Sequence, residues 1–199
     1  MMMLRPMIVV LLLLSVLTGI AYPLLTNALS ALLFSAQANG SLLYRDPQDR
    51  DRQAVGSLLI GQNFTRADYF WGRPSATSPT PYATLASAGS NLAGSNPALD
   101  QAVAARVNAL RAANPQSPPR VPVELVTASG SGLDPQISPM AARWQIPRIA
   151  QARGIPAEVL EKLIAAHTDT PFPAFIGEPG VNVLQLNRAL DALNKDKSS

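Results

Sequence analysis

The chain has 199 residues, with 16 Lys or Arg against 13 Asp or Glu for a formal charge of +3, and it contains no cysteine. Absence of cysteine excludes a disulfide framework, a thiolate metal site and a cysteine nucleophile. The scattered cations, with no aromatic residues interleaved among them, do not build a nucleic-acid-binding face. The length suits one domain, or one domain and an anchor.

From Pro6 to Tyr44 no residue is charged, and residues 7–33 are dominated by Leu, Val, Ile and Ala. Such a stretch predicts a membrane-spanning helix. At the usual rise, residues 7–33 would reach about 40 Å, more than the ~30 Å hydrocarbon core, so the helix tilts, kinks near Gly19 and Pro23, or ends in the interface. Arg5 and the small-x-small sequence Ala36-Gln37-Ala38 also fit a cleaved signal peptide. A signal peptide's apolar region is much shorter than this run, which favours a retained anchor. Arg5 lies on one side, against Arg45, Arg50 and Arg52 on the other. That count alone leaves the orientation open, since long domains cross membranes largely regardless of flanking charge.

The chain therefore divides into an N-terminal segment (residues 1–6), the spanning helix (7–33), a linker (34–53), one compact soluble domain (54–194) and a tail (195–199). Residues 54–64 form a short apolar run suited to a strand. Ser95-Asn96-Pro97 carries a cap candidate followed by Pro in the first turn, and Val103, Val107 and Leu110 mark the buried face of a helix that Asn114-Pro115 ends. Residues 121–128 alternate as a half-buried strand with Pro122 at its start or on an edge. The loop TASGSGLDPQISP follows. Its Gly130 and Gly132 can adopt positive φ, and Asp134 can accept from nearby amides to close a turn. Ser138-Pro139 starts a helical stretch to Arg153, which Pro147 kinks or splits and Gly154 ends. Another helix from Pro156 buries Val159, Leu160, Leu163 and Ile164. A last one, from Asn182, buries Val183, Leu186, Leu190 and Leu193. Strand-like runs mixed with helices predict an α+β or α/β domain behind a single N-terminal transmembrane helix.

Chemical candidates are few. Gly130-Ser131-Gly132 lacks the nucleophile-elbow spacing, and a triad could only combine Ser131, Asp134 and His167, the one histidine. His167 reads instead as a helix C-terminal residue near the last carbonyls. No cluster has metal-ligand spacing. The Gly/Ser-rich loop over residues 88–96 could hold an anion at a helix N-terminus, but it has no Lys, and Pro97 deletes an amide. Turn and cap is the better reading. Asn182 and Gln185 are read as a capping box variant rather than ligand amides.

Four sets of residues then carry more than composition does. They are Tyr69-Phe70 with Arg73-Pro74-Ser75-Ala76-Thr77; Gly89-Ser90-Asn91-Leu92 with Ser95-Asn96-Pro97-Ala98-Leu99; LVTASGSGLDP with Ile137-Ser138-Pro139; and Gly177-Glu178-Pro179 with VNVLQLN. In this order and spacing, from the anchor to about Leu193, the chain resembles the KdpC family of the Kdp potassium-transporting ATPase. The resemblance implies a non-catalytic component of a P-type pump that imports potassium at the expense of ATP. It implies three partners: a channel-like potassium-translocating subunit, an ATP-hydrolysing subunit and a small accessory membrane subunit. Members of that family are needed for assembly of the pump and act as catalytic chaperones that raise ATP affinity. ATP and potassium are handled by the complex, with no cofactor held by this chain.

The resemblance also implies a single pass through the bacterial inner membrane, with residues 1–6 cytoplasmic and the large domain outside. The motif residues Arg73, Pro74, Ser75, Asn91, Asn96, Ser129, Gly130, Ser131, Gly132 and Asp134 become candidates for contact with the partner subunits. The rival readings are a membrane-anchored extracytoplasmic binding or chaperone module unrelated to transport, and a secreted hydrolase.

Overall fold

The computed structural model describes residues 3–45 and 53–195, with the side chains of Asn194 and Lys195 left aside. Met1, Met2, residues 46–52 of the linker, Arg50 and Arg52 among them, and tail residues 196–199 lie outside the described residues. The chain divides into two compact units, Met1–Val55 and Gly56–Ser199.

The first unit is built on α1, Leu4–Leu33, which is long and apolar enough to cross a membrane and has none of its best window buried. Its ladder widens to a π turn at Leu17–Ala21, where the N–H of Tyr22 reaches back to Leu17 O. The cause is Pro23, which has no N–H for the carbonyl of Gly19 and whose ring would press on that carbonyl in a regular helix. Thr18 and Thr26 keep their hydroxyls satisfied in this apolar run by donating to Leu14 O (2.7 Å) and Tyr22 O (2.9 Å). After a single turn at Ser35–Ala38, strands β1 (Leu42–Tyr44) and β2 (Ala54–Ser57) pair. The strand expected over residues 54–64 stops at Ser57, because the Ser57 hydroxyl accepts from Leu59 N (3.1 Å) and turns the chain.

The second unit places α2 (Pro97–Ala113), α3 (Pro139–Trp144), α4 (Ile146–Arg153), α5 (Ala157–Ala166) and α6 (Val183–Lys195) around a small sheet of β3 (Gln136–Ile137), β4 (Thr168–Asp169) and β5 (Gly180–Asn182). β5 is central and pairs antiparallel with both neighbours, Ile137 opposite Val181 on one side and Thr168 opposite Val181 on the other. Antiparallel pairing makes the domain α+β rather than α/β. Phe70, Ile137, Ile149, Leu160, Ile164, Val181, Leu186 and Leu190 form the heart of the core.

Local chemistry sets the boundaries. Asn96 caps α2 by accepting from Ala98 N at 3.0 Å, and Ser138 caps α3 through Ala141 N at 3.1 Å. Pro147 splits α3 from α4 at Gln145, and Gly154 ends α4 in the left-handed conformation at φ +62.

Residues 121–128 are not a strand. Pro122 opens a 3-10 turn at Val123–Leu125, Val123 is exposed, and Leu125 and Val126 are buried in succession, so the alternation read in the sequence has no sheet to face. Thr127 folds back on Val123 O through both its N–H (3.0 Å) and its hydroxyl (2.9 Å). Glu124 is drawn to the start of α3, where its carboxylate accepts from Ser138 N (2.9 Å) and from the Ser138 hydroxyl. Those local bonds replace ladder bonds that no neighbouring strand supplies.

Candidate functional site

The loop after the 3-10 turn closes into a polar knot with residues 73–88. Ser75 Oγ donates to Gly132 O (2.7 Å) and accepts from Tyr82 N (2.9 Å). Thr77 Oγ1 donates to Thr80 O (2.7 Å) and accepts from Ala83 N (3.0 Å). Tyr82 Oη donates to Arg73 O at 2.6 Å. Burial, with a smaller contribution from the Asp134 charge, pushes the Tyr82 phenol up to about 12. Asp134 uses both oxygens: Oδ1 accepts from Gln136 N (3.0 Å), closing an Asx turn, and Oδ2 pairs with Arg73 NH1 (3.0 Å). Arg73 keeps one buried atom, Nε, without a partner among the described residues.

Gly132 holds φ +67, and a Cβ there would lie 2.6 Å from Ala88 O and 2.7 Å from Thr77 Cγ2. Gly130 differs. It is outside the left-handed region, and a Cβ on it would meet nothing within 4 Å. Of the two glycines that could adopt positive φ, only Gly132 does so. The close approach at Gly130 runs the other way, since a Cβ on Gly89 would come within 3.0 Å of Gly130 O.

Arg73, Ser75, Gly132 and Asp134 thus come together. Pro74 is half-buried beside them, and Ser129 is buried with its carbonyl accepting from Gly132 N (3.3 Å). Ser131 is exposed. Its hydroxyl accepts from Leu133 N (3.1 Å), while its carbonyl takes Ala88 N and the Ser87 hydroxyl, both at 3.0 Å. Asn91 and Asn96 have separate local roles: Asn91 is exposed at φ +52, and Asn96 is the α2 cap. His167 ends α5 with Nδ1 2.9 Å from Leu163 O, an arrangement that requires the proton on Nδ1. No hydrogen bond joins Ser131, Asp134 and His167 to one another among the described residues. Asn182 Oδ1 accepts from Gln185 N at 3.1 Å, and its Nδ2 donates to Leu58 O at 2.8 Å. Gln185 itself is exposed.

A second polar cluster was not read from the sequence. Residues 67–71 have no regular secondary structure, yet side chains satisfy their backbone one peptide after another. Asn187 accepts from Phe70 N (2.8 Å) and donates to Phe70 O (2.9 Å). Gln145 does the same for Trp71, at 2.8 and 3.0 Å. Arg148 donates to the carbonyls of Ala67 and Tyr69, to Asn114 Oδ1 (2.9 Å) and to Gln145 Oε1 (2.8 Å), and stacks 4.0 Å over Trp71. With no carboxylate bonded to it among the described residues, burial pulls its guanidinium down to about 10. Arg153 takes Asp68 O (2.6 Å) and Asp191 Oδ1 (2.8 Å). The available signal was Asn187 on the apolar stripe of its helix, one turn after Val183.

Two surfaces expose large apolar side chains. A hollow of about 610 Å³ is walled by Pro118, Val121, Pro122, Val123, Met140 and Trp144. The loop between β4 and β5 carries Phe172, Phe175 and Ile176 into solvent.

Comparison with known proteins gives a match to the family model described as KdpC: K+-transporting ATPase, c chain, over residues 4–192. Among curated proteins, the chain is 64% identical over 192 residues to a potassium-transporting ATPase KdpC subunit of Erwinia tasmaniensis, covering 96% of this chain and 98% of that one. It is 60% identical over 190 residues to the protein of the same name from Serratia proteamaculans, covering 96% and 98%. With the protein of that name from Klebsiella pneumoniae the identity is 58% over 193 residues, covering 97% and 98%.

Proposed function

The chain belongs to the KdpC family of K+-transporting ATPase components, and from that premise we propose that it is the accessory subunit which assembles the pump and raises the ATP affinity of its ATP-hydrolysing subunit. Its partners are that subunit, the channel-like potassium-translocating subunit and the small accessory membrane subunit. α1 anchors it in the bacterial inner membrane, and the domain after it stands outside the cytoplasm. ATP on the inner side is then out of its reach, so it acts on ATP affinity through the subunits it holds. It contributes no catalytic step of its own.

The observation that carries this reading is the span of the family match, residues 4–192, which takes in anchor and domain together. The same match counts against an anchored module unrelated to transport. The loop chemistry supports a scaffold as well. Ser75, Thr77 and Ser131 spend their hydroxyls on backbone groups, and Asp134 divides its oxygens between Gln136 N and the Arg73 guanidinium, which suits a surface of fixed shape.

The test is to purify the pump from solubilised membranes with and without this chain and to titrate ATP in the potassium-stimulated ATPase assay. Loss of the chain is expected to reduce recovery of the complex and to raise KM for ATP. Unchanged assembly together with an unchanged KM overturns the proposal. A reporter fused after Leu193 is expected to be active only outside the cytoplasm.

A further inference from the structure

Beside the polar knot lies a cleft of about 380 Å³ whose walls include Phe64, Trp71, Leu110 and Leu125 and whose charged lining is Arg73 and Arg106. Its volume is that of a small-ligand or side-chain site. Arg73 spends NH1 on Asp134, while its Nε is buried with no acceptor among the described residues. Arg106 is half-buried and donates NH1 to Val126 O at 2.9 Å. No carboxylate pairs with Arg106 among the described residues. Two guanidiniums thus line the cleft, Arg73 paired with Asp134 and Arg106 with no carboxylate partner among the described residues, so one positive charge remains against an apolar and aromatic wall. A cation held against an apolar wall without a counter-charge favours an anion arriving from outside.

Resting on the reading of the chain as a pump subunit, we propose that this cleft docks a carboxylate-bearing segment of a partner subunit. The Asp or Glu carboxylate of that segment sits against Arg106, with Arg73 beside it, and its apolar neighbours lie against Phe64, Trp71, Leu110 and Leu125. Charge and lining select this occupant. A single net positive charge matches a monoanion with an apolar body, whereas the phosphates of a nucleotide carry several charges and call for more cations than the two guanidiniums of the cleft supply.

The experiment uses the pump reassembled in detergent from the other subunits and graded amounts of this chain. Arg106→Gln keeps a donor for Val126 O and removes the charge, Arg106→Glu reverses it, and Arg106→Lys retains it. Arg106→Gln is expected to weaken association about tenfold or more, the worth of one hydrogen bond to a charged group. Arg106→Glu should weaken it further, and Arg106→Lys should recover part of the loss, all with unchanged melting of the isolated full chain. A photo-crosslinker at Ala109, exposed on the cleft lining, is expected to capture a partner peptide containing Asp or Glu, and it decides the matter alone if Arg106→Gln does not fold. Wild-type association of both Arg106→Gln and Arg106→Glu, capture of a peptide without an acidic residue, or an Arg106-dependent rise in melting temperature on adding ATP each overturns the docking cleft. A wild-type chain that joins none of the other pump subunits sinks the functional reading instead.

Discussion

Replacing Gly132 with Ala is expected to destabilise the domain by about 3 kcal/mol, while the same change at Gly130 leaves it intact. Gly132 sits at φ +67, where an L-residue costs about 1–2 kcal/mol. Its new Cβ would also stand 2.6 Å from Ala88 O and 2.7 Å from Thr77 Cγ2. Neither neighbour yields easily: Thr77 is tied through Oγ1 to Thr80 O and Ala83 N, and Ala88 through its N–H to Ser131 O. Relieving that overlap adds about 1–3 kcal/mol. At about 2–4 °C per kcal/mol for a unit of this size, the melting temperature should fall by about 6–12 °C. Gly130→Ala meets no atom within 4 Å and should be neutral or gain about 0.4–1 kcal/mol by restricting the unfolded chain. The assay is tryptophan fluorescence of the detergent-solubilised full chain on heating, because Trp71 and Trp144 are its only two tryptophans and both belong to this unit. The reasoning is refuted if Gly132→Ala melts within about 1 °C of the wild type, or if Gly130→Ala falls as far as Gly132→Ala.

Asp134→Asn should cost about 0.5–1 kcal/mol, since it keeps the acceptor for Gln136 N and loses only a partly exposed ion pair. Asp134→Ala, which loses both, should cost about 1–2 kcal/mol in urea unfolding, and equal effects would show that the turn acceptor is idle. Arg148→Met should cost about 3–5 kcal/mol by stranding the carbonyls of Ala67 and Tyr69 with Asn114 and Gln145, read as a lower guanidinium chloride midpoint; a midpoint near that of the wild type would refute the clamp. Tyr82, raised from its ordinary 10.0 to about 12, keeps its proton in the folded state while the unfolded chain loses it. Its stabilisation is therefore complete below pH 10 and is lost as pH rises toward 12. Allowing for its partial exposure, wild type minus Tyr82→Phe stability should shrink by about 1–2 kcal/mol across that window. A difference that stays flat with pH would refute the assignment.

What the sequence determined is what depends on neighbours along the chain. An uncharged apolar run longer than a bilayer's hydrocarbon core needs no tertiary partner to be a helix, and Pro23 is enough to open its π turn. Asn96 and Ser138 as caps, the break before Pro147 and the left-handed Gly154 follow from backbone donors and steric freedom within a few residues. Tertiary structure decided whatever required knowing which distant group arrives. Residues 121–128 alternate like a strand, but a strand exists only when another offers its ladder, and here Glu124 and Thr127 found nearer partners. Gly130 and Gly132 are equivalent in the sequence; only the approach of Thr77 and Ala88 makes one indispensable. The segment from Ala67 to Trp71 carries no periodic signal, because its hydrogen bonds come from Gln145, Arg148 and Asn187, more than seventy residues away along the chain. Polar side chains on apolar helix faces become legible only once the fold delivers the backbone they were placed to meet.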